Sequence, residues 1–132
     1  FLFTFTLVVT VCVILFPVSS APFVVGVDVT APIHVIGRIR LDIPDAKYEE
    51  YKLKTNALFA KTTELDKPRL YTCNRDINDP NLFVWNEEWS SCDASETHLA
   101  SAHFNDWYSY VKKYQIGKLN VIYAPSSAFR NV

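Results

Sequence analysis

The stretch RLYTCNRDINDPNLFVWNEEW, from Arg69 to Trp89, decides how this chain folds. Its centre, INDPN, gathers Asn, Asp and Pro, residues that preset turn dihedrals or bond their own backbone. On either side lie short runs rich in apolar, aromatic and β-branched residues, Arg69 to Asp76 and Leu82 to Trp89. Two such runs around one turn form a β-hairpin. With the turn centred on Asn78, Asp79 and Pro80, Cys73 faces Trp85 and Tyr71 faces Glu87.

Working outward from the hairpin gives the remaining order. Upstream, IHVIGRIRLDI (Ile33 to Ile43) has an apolar residue or Gly at every odd position, the period of a half-buried strand, and Pro44 stops it. From Asp45, a candidate cap, to about Thr63, Tyr48, Tyr51, Thr55, Leu58, Phe59 and Thr62 recur at steps of three and four. That is an amphipathic helix, ended by Asp66, Lys67 and Pro68. Downstream, Asp93 with Glu96 three residues on reads as a capping box for a second helix. Ser101 reads as a second cap that breaks it before His103, Phe104, Trp107, Tyr108 and Val111. Gly117 marks a boundary, and Leu119, Val121 and Tyr123 alternate in a last strand ended by Pro125.

The order β-α-β-β-α-β is the ferredoxin-like α+β arrangement: an antiparallel four-stranded sheet with two helices on one face. Val35, Ile39, Leu41, Tyr71, Phe83, Trp85, Trp89, Leu119, Val121 and Tyr123 share the face that the helices must cover. The other face mixes Ile36, Thr72, Val84 and Ile122 with His34, Asn74, Asn86, Glu88 and Asn120. A face that apolar calls for a cover, and a second copy across a two-fold axis supplies one, so a homodimer is expected.

The 132 residues suffice for one domain, placed at residues 32–125, after a segment at 1–21 and a linker at 22–31, and before a tail at 126–132. A net charge of -1 gives no electrostatic case for nucleic acid or an anionic membrane surface. FLFTFTLVVTVCVILF is uncharged and apolar, and Pro17 and the small residues Ser19, Ser20 and Ala21 follow it. This reads as a secretory signal peptide directing the chain to the secretory pathway or out of the cell. The alternative is an uncleaved membrane anchor, although the run is short for a span of roughly 20 residues. Cys12 falls in that segment. Cys73 and Cys92 sit too far apart in hairpin register to bridge: an offset of seven residues is roughly 23 Å, against about 7 Å for bonded Cα atoms. Neither a CxxC nor a Cys/His ligand run is present, which argues against structural zinc.

Glu87 breaks its strand's pattern. It shares parity with Phe83, Trp85 and Trp89, so an acid points into the helix-covered layer. A carboxylate there must be hydrogen-bonded or carry a raised pKa. The second helix brings His98 and His103, five residues and about 140° apart on an unbroken helix. Glu87 and His98 in an aromatic pocket could act as a base and its orienting partner. The plainer alternative has Glu87 bonding Tyr71 or a helix backbone group, His98 as a satisfied core residue, and Trp85, Trp89 and Trp107 as core. A metal held by Glu87 and both histidines is disfavoured, since no HExxH spacing occurs.

The strand from Pro32 to Ile43, YTCNRDINDPNLFVWNEEW and HLASAHFNDW together resemble the antibiotic biosynthesis monooxygenase domain family, over Ile33 to Pro125. The resemblance implies a dimeric α+β barrel and a cofactor-independent oxygenase. Its substrates would be a small aromatic quinol or polyketide-like phenol and O2. For such an oxygenase the expected base is His98, with Glu87 orienting or tuning it, while Tyr71 and His103 would be polar positioning groups and Trp85, Trp89 and Trp107 substrate-binding walls. Where family members have Pro-Gly before the second strand, this chain has Lys67-Pro68-Arg69. The positions matching the Asn, Trp and His of haem-degrading relatives are Gly37, His98 and Tyr108, so haem degradation is disfavoured. Two other classes fit the same residues: a non-catalytic dimeric module binding a small ligand, and an isomerase using the same base without O2.

Overall fold

The computed structural model describes residue 28 and residues 30–126. The signal reading of residues 1–21, most of the linker, and the tail beyond residue 126 lie outside the described residues. Among the described residues, no helix is long and apolar enough to cross a membrane.

Four strands, β1 (Ile33–Leu41), β2 (Leu70–Arg75), β3 (Leu82–Trp89) and β4 (Gln115–Pro125), form one sheet in the order β2-β3-β1-β4. Every pairing is antiparallel. The hairpin register is the one that its turn residues dictate, with Tyr71 opposite Glu87 and Cys73 opposite Trp85. Asp76 holds the turn by accepting the backbone N–H groups of Asn78 and Asp79 on its side chain. In β1, Ile33, Val35, Gly37, Ile39 and Leu41 are buried while the residues between them reach solvent to varying degrees, as the period of two requires.

The helical layer is in three pieces rather than two: α1 (Asp45–Lys61), α2 (Cys92–Ala100) and α3 (Ala102–Val111). Tyr51, Leu58, Trp107 and Val111 pack on Ile39, Leu41, Phe83 and Trp85. Each such side chain contributes roughly 1.5–3 kcal/mol by leaving water. Ser101 does break the second helical segment: its ψ of 153° is extended, and its hydroxyl accepts the Phe104 N–H at 3.2 Å. The caps elsewhere differ from expectation. Ser91, two residues earlier than the expected cap Asp93, caps α2 by accepting the Ala94 N–H at 3.1 Å. Asp93 lies inside the first turn, where its charge favours the helix dipole. Asp45 is likewise the first helical residue, and Pro44 holds the cap position without a side-chain bond.

Two local departures from regular geometry position the site. After Lys61 the helix widens into a π turn, Thr62–Asp66, closed by Lys67 N–H to Thr62 C=O at 3.1 Å. Lys67 then takes a left-handed φ of 51°, unusual for a side-chain-bearing residue. In β4, Gly117 is not a boundary but an interior residue with φ +72°. The pairing with β1 slips there: Arg38 faces Asn120, yet Arg40 faces Ile116. No atom would obstruct a Cβ at Gly117, so its need for glycine is conformational. Gly117→Ala should lower stability by about 1–2 kcal/mol, read as an earlier midpoint in urea with an unchanged slope.

Candidate active site

A cavity of about 250 Å³ opens between the sheet and α2–α3, near the small end of ligand pockets, which run about 300–1,000 Å³. Its floor is sheet: Val35, Gly37 and Ile39 from β1, Trp85 and Glu87 from β3, and Tyr71 from β2. Phe104, Trp107 and Tyr108 from α3 form the roof. Leu119, Val121 and Tyr123 of β4 form the remaining wall. Leu119 and Val121 are 36% and 37% exposed, so the cavity meets solvent along β4. Gly37 leaves the floor low; a Cβ there would touch Trp85 Cβ at 3.5 Å, an ordinary contact that would take up cavity space.

Glu87 is 9% exposed. Its Oε2 accepts the Trp89 indole N–H at 2.7 Å. Burial disfavours the charged carboxylate and pushes its pKa up to about 7, against the smaller opposing effect of the indole hydrogen bond. Near neutrality this group can therefore both take and return a proton, as acid–base catalysis asks. Trp89→Phe removes the donor that favours the anion. It should move the pH midpoint of any Glu87-dependent activity upward by about one pH unit, read from a pH–rate profile.

Behind the cavity wall runs a second cluster. The Tyr71 hydroxyl lies 3.1 Å from His98 Nε2. His98 Nδ1 and His103 Nε2 both lie 2.7 Å from the same oxygen, Asp66 Oδ2. His98 is fully buried, stacked on Trp89 at 4.9 Å between ring centroids. Burial lowers its pKa, with Asp66 opposing, which favours the neutral ring. Burial, and after it the Glu87 carboxylate, raises the Tyr71 pKa far above its ordinary value, so the phenol keeps its proton.

The structure brings Glu87, Tyr71, Trp85 and Trp107 to the cavity. Trp89, His98 and His103 do not line it. Trp89 acts on Glu87, His98 meets the cavity through Tyr71, and His103 lines a separate depression of about 130 Å³ between α1 and α3. The partner of His98 is Asp66 rather than Glu87. Sequence reasoning took Asp66 only for a helix terminator, because nothing in the periodicity announces a π turn, and that turn carries its carboxylate inward.

Asp66, His98 and His103 each offer a ligand atom, all within 4.8 Å of one another. Tetrahedral zinc, with bonds of about 2.0–2.1 Å to nitrogen, would require the cluster to rearrange. The 2.7 Å separations are those of charge-assisted hydrogen bonds.

By sequence, the chain matches no family description and no curated protein. By structure it is similar to a candidate antibiotic biosynthesis monooxygenase of Caulobacter crescentus CB15, with a TM-score of 0.66 and 18% identity over 74% of this chain and 92% of that one. A counterpart from Nitrosomonas europaea gives 0.64 and 15% over 74% and 91%. A conserved protein of Methanosarcina mazei Go1 gives 0.63 and 16% over 73% and 93%. The chain has the antibiotic biosynthesis monooxygenase fold. This monooxygenase-type fold supplies the sheet and the helical roof, while the residues within it are this chain's own.

Proposed function

We propose that the protein is a monooxygenase that oxidises a small aromatic quinol or phenol with O2, the substrate acting as its own reductant. The observation that supports this most is a carboxyl group with a pKa near 7 on the floor of an aromatic cavity. Glu87 takes the proton of a substrate hydroxyl, and the resulting anion is a much stronger electron donor to O2. The peroxide that forms on a ring carbon takes a proton back from Glu87 at its outer oxygen. Loss of the hydrogen on that carbon, with cleavage of the O–O bond, then releases water, which leaves one oxygen atom on the substrate as a carbonyl and carries away the other. The low polarity around Glu87 strengthens each of these proton transfers. Trp85 and Trp107, in edge-on contact at 5.1 Å between centroids, offer ring faces to a planar ligand. In this reading Tyr71, a cross-strand neighbour of Glu87 in the cavity lining, binds a second hydroxyl.

The test is oxygen uptake by metal-depleted protein with a panel of quinols and anthrones. Uptake that requires Glu87 is expected. Turnover under anaerobic conditions would instead indicate an isomerase, and binding without turnover a ligand carrier.

The same reading includes a homodimer. Ile116 and Ile122 on β4 are 43% and 46% exposed, and Leu119 and Val121 leave the cavity wall open. A second copy laid against β4 would cover these residues and close the cavity. Light scattering after size-exclusion chromatography should give twice the chain mass; a monomer at all concentrations would remove this part of the proposal.

A further inference from the structure

We propose that Gly37 sets the size of the aromatic ligand that the cavity takes: the space left by its missing side chain is the seat of the ligand's ring, and it admits a flat two-ring phenol that a larger residue would turn away. The inference rests on the cavity being the binding site proposed above, and it adds the residue by which that site selects.

Glycine is a costly choice at this position. Gly37 sits in the middle of β1, the strand that pairs with both β3 and β4. A glycine inside a strand loses more conformational freedom on folding than other residues do, and it packs no side chain. Three structural reasons could justify it, and none applies. Its φ is not positive; among the described residues, Gly117 is the glycine with that conformation. No neighbour crowds it: apart from its chain neighbours, the one heavy atom that a Cβ would meet within 4 Å is Trp85 Cβ, at 3.5 Å. No bulge calls for it either. It pairs in register with Trp85 and Val121, and the slip between β1 and β4 lies beyond it, between Arg38 and Arg40.

What the glycine does provide is depth. Val35 and Ile39, two residues away on either side, share its face and line the same cavity. Gly37 is buried as they are, yet nothing rises above its own backbone. The result is a notch between two branched side chains, floored by main chain. An empty notch forfeits the dispersion contacts that close packing supplies. A ligand ring would restore them. The location also suits the chemistry. Glu87 is the diagonal neighbour of Gly37, two residues along β3 from its direct partner Trp85 and on the same face. Such neighbours lie roughly 7–8 Å apart. A ring resting on the Gly37 backbone therefore has its rim beside the carboxyl.

The experiment measures binding of phenol and of 1-naphthol under argon, by calorimetry, to the whole protein as wild type, Gly37→Ala and Gly37→Val. The wild type should prefer naphthol, which buries more apolar surface. In Gly37→Ala the naphthol-to-phenol affinity ratio should fall about tenfold, about 1.4 kcal/mol, the low end of what one methyl group decides in a fitted pocket. In Gly37→Val the preference should vanish. A single ring can still sit to one side, where the cavity opens along Leu119 and Val121. Melting of the ligand-free proteins gives the second readout. Both variants should melt at or above the wild-type temperature, because each side chain suits a strand better than glycine does and begins to fill the notch. A lower melting temperature for Gly37→Ala would make the glycine a structural requirement and overturn the proposal. So would a wild type that does not bind naphthol, or a ratio that neither variant changes. Binding is read without turnover, so the two readings fail separately. A protein whose ratio falls as described yet never consumes O2 would refute the oxygenase reading alone. Oxygen uptake that requires Glu87, with a ratio indifferent to both substitutions, would refute this inference alone.

Discussion

Glu87→Gln should reduce oxygen uptake by about 10²–10⁴-fold, the usual contribution of a positioned acid–base group, while making the protein more stable at pH 8. The two effects share one cause. In the unfolded chain the Glu87 carboxyl loses its proton near 4.5, and in the folded protein near 7. Below pH 4.5 it is neutral in both states and imposes no electrostatic penalty on folding. Between these values the unfolded state sheds the proton and the folded state retains it, so stability falls as pH rises. The loss levels off above about pH 7, and over that window it amounts to about 3 kcal/mol. A glutamine cannot ionise, so the variant's melting temperature should lack the decline that the wild type shows between pH 4.5 and 7. If Glu87→Gln retains full oxygen uptake, the base is another group. If both proteins show the same pH dependence of melting, Glu87 is not desolvated as described.

His98→Leu should lower stability by about 3–5 kcal/mol. His98 is fully buried, and both of its ring nitrogens have partners. Leucine would fill much of the space but bond to neither neighbour. Asp66 would retain only His103, and the Tyr71 hydroxyl would lose its acceptor. A part-buried carboxylate left with fewer partners costs more than the bond removed. Chemical denaturation measures the loss, and a companion Tyr71→Phe variant separates its parts. That change removes the same hydroxyl bond but leaves Asp66 with both imidazoles, so it should cost only about 0.5–1.5 kcal/mol. Equal losses in the two variants would mean that the carboxylate does not depend on His98.

The strands and their register were legible because alternation and turn chemistry are local signals. INDPN alone was enough to place Tyr71 opposite Glu87 and Cys73 opposite Trp85. The break at Ser101 was legible for the same reason, since a hydroxyl competes for backbone N–H groups wherever it can reach them. Glu87 could be assigned to the covered layer from parity, and its pKa direction follows from burial. The partner of His98 was not legible. Its two bonded neighbours, Tyr71 and Asp66, come from 27 and 32 residues away. Asp66 arrives through a π turn that shifts the helical phase, and no hydrophobic period records that shift. The placement of His103 was hidden for a similar reason, because the extended Ser101 resets the angle between α2 and α3.

The π turn makes the site sensitive to residue count as much as to residue type. Five residues, Thr62–Asp66, wind where an ordinary helix would advance with fewer per turn. Deleting one of Thr63, Glu64 or Leu65 would let the backbone relax to regular α-helical winding and swing the following carboxylate through about 100° around the axis. Asp66 would then point away from both imidazoles with every ligand-facing side chain still encoded. Homologues that share His98 and Tyr71 but are one residue shorter in this segment would have lost the linkage through spacing alone.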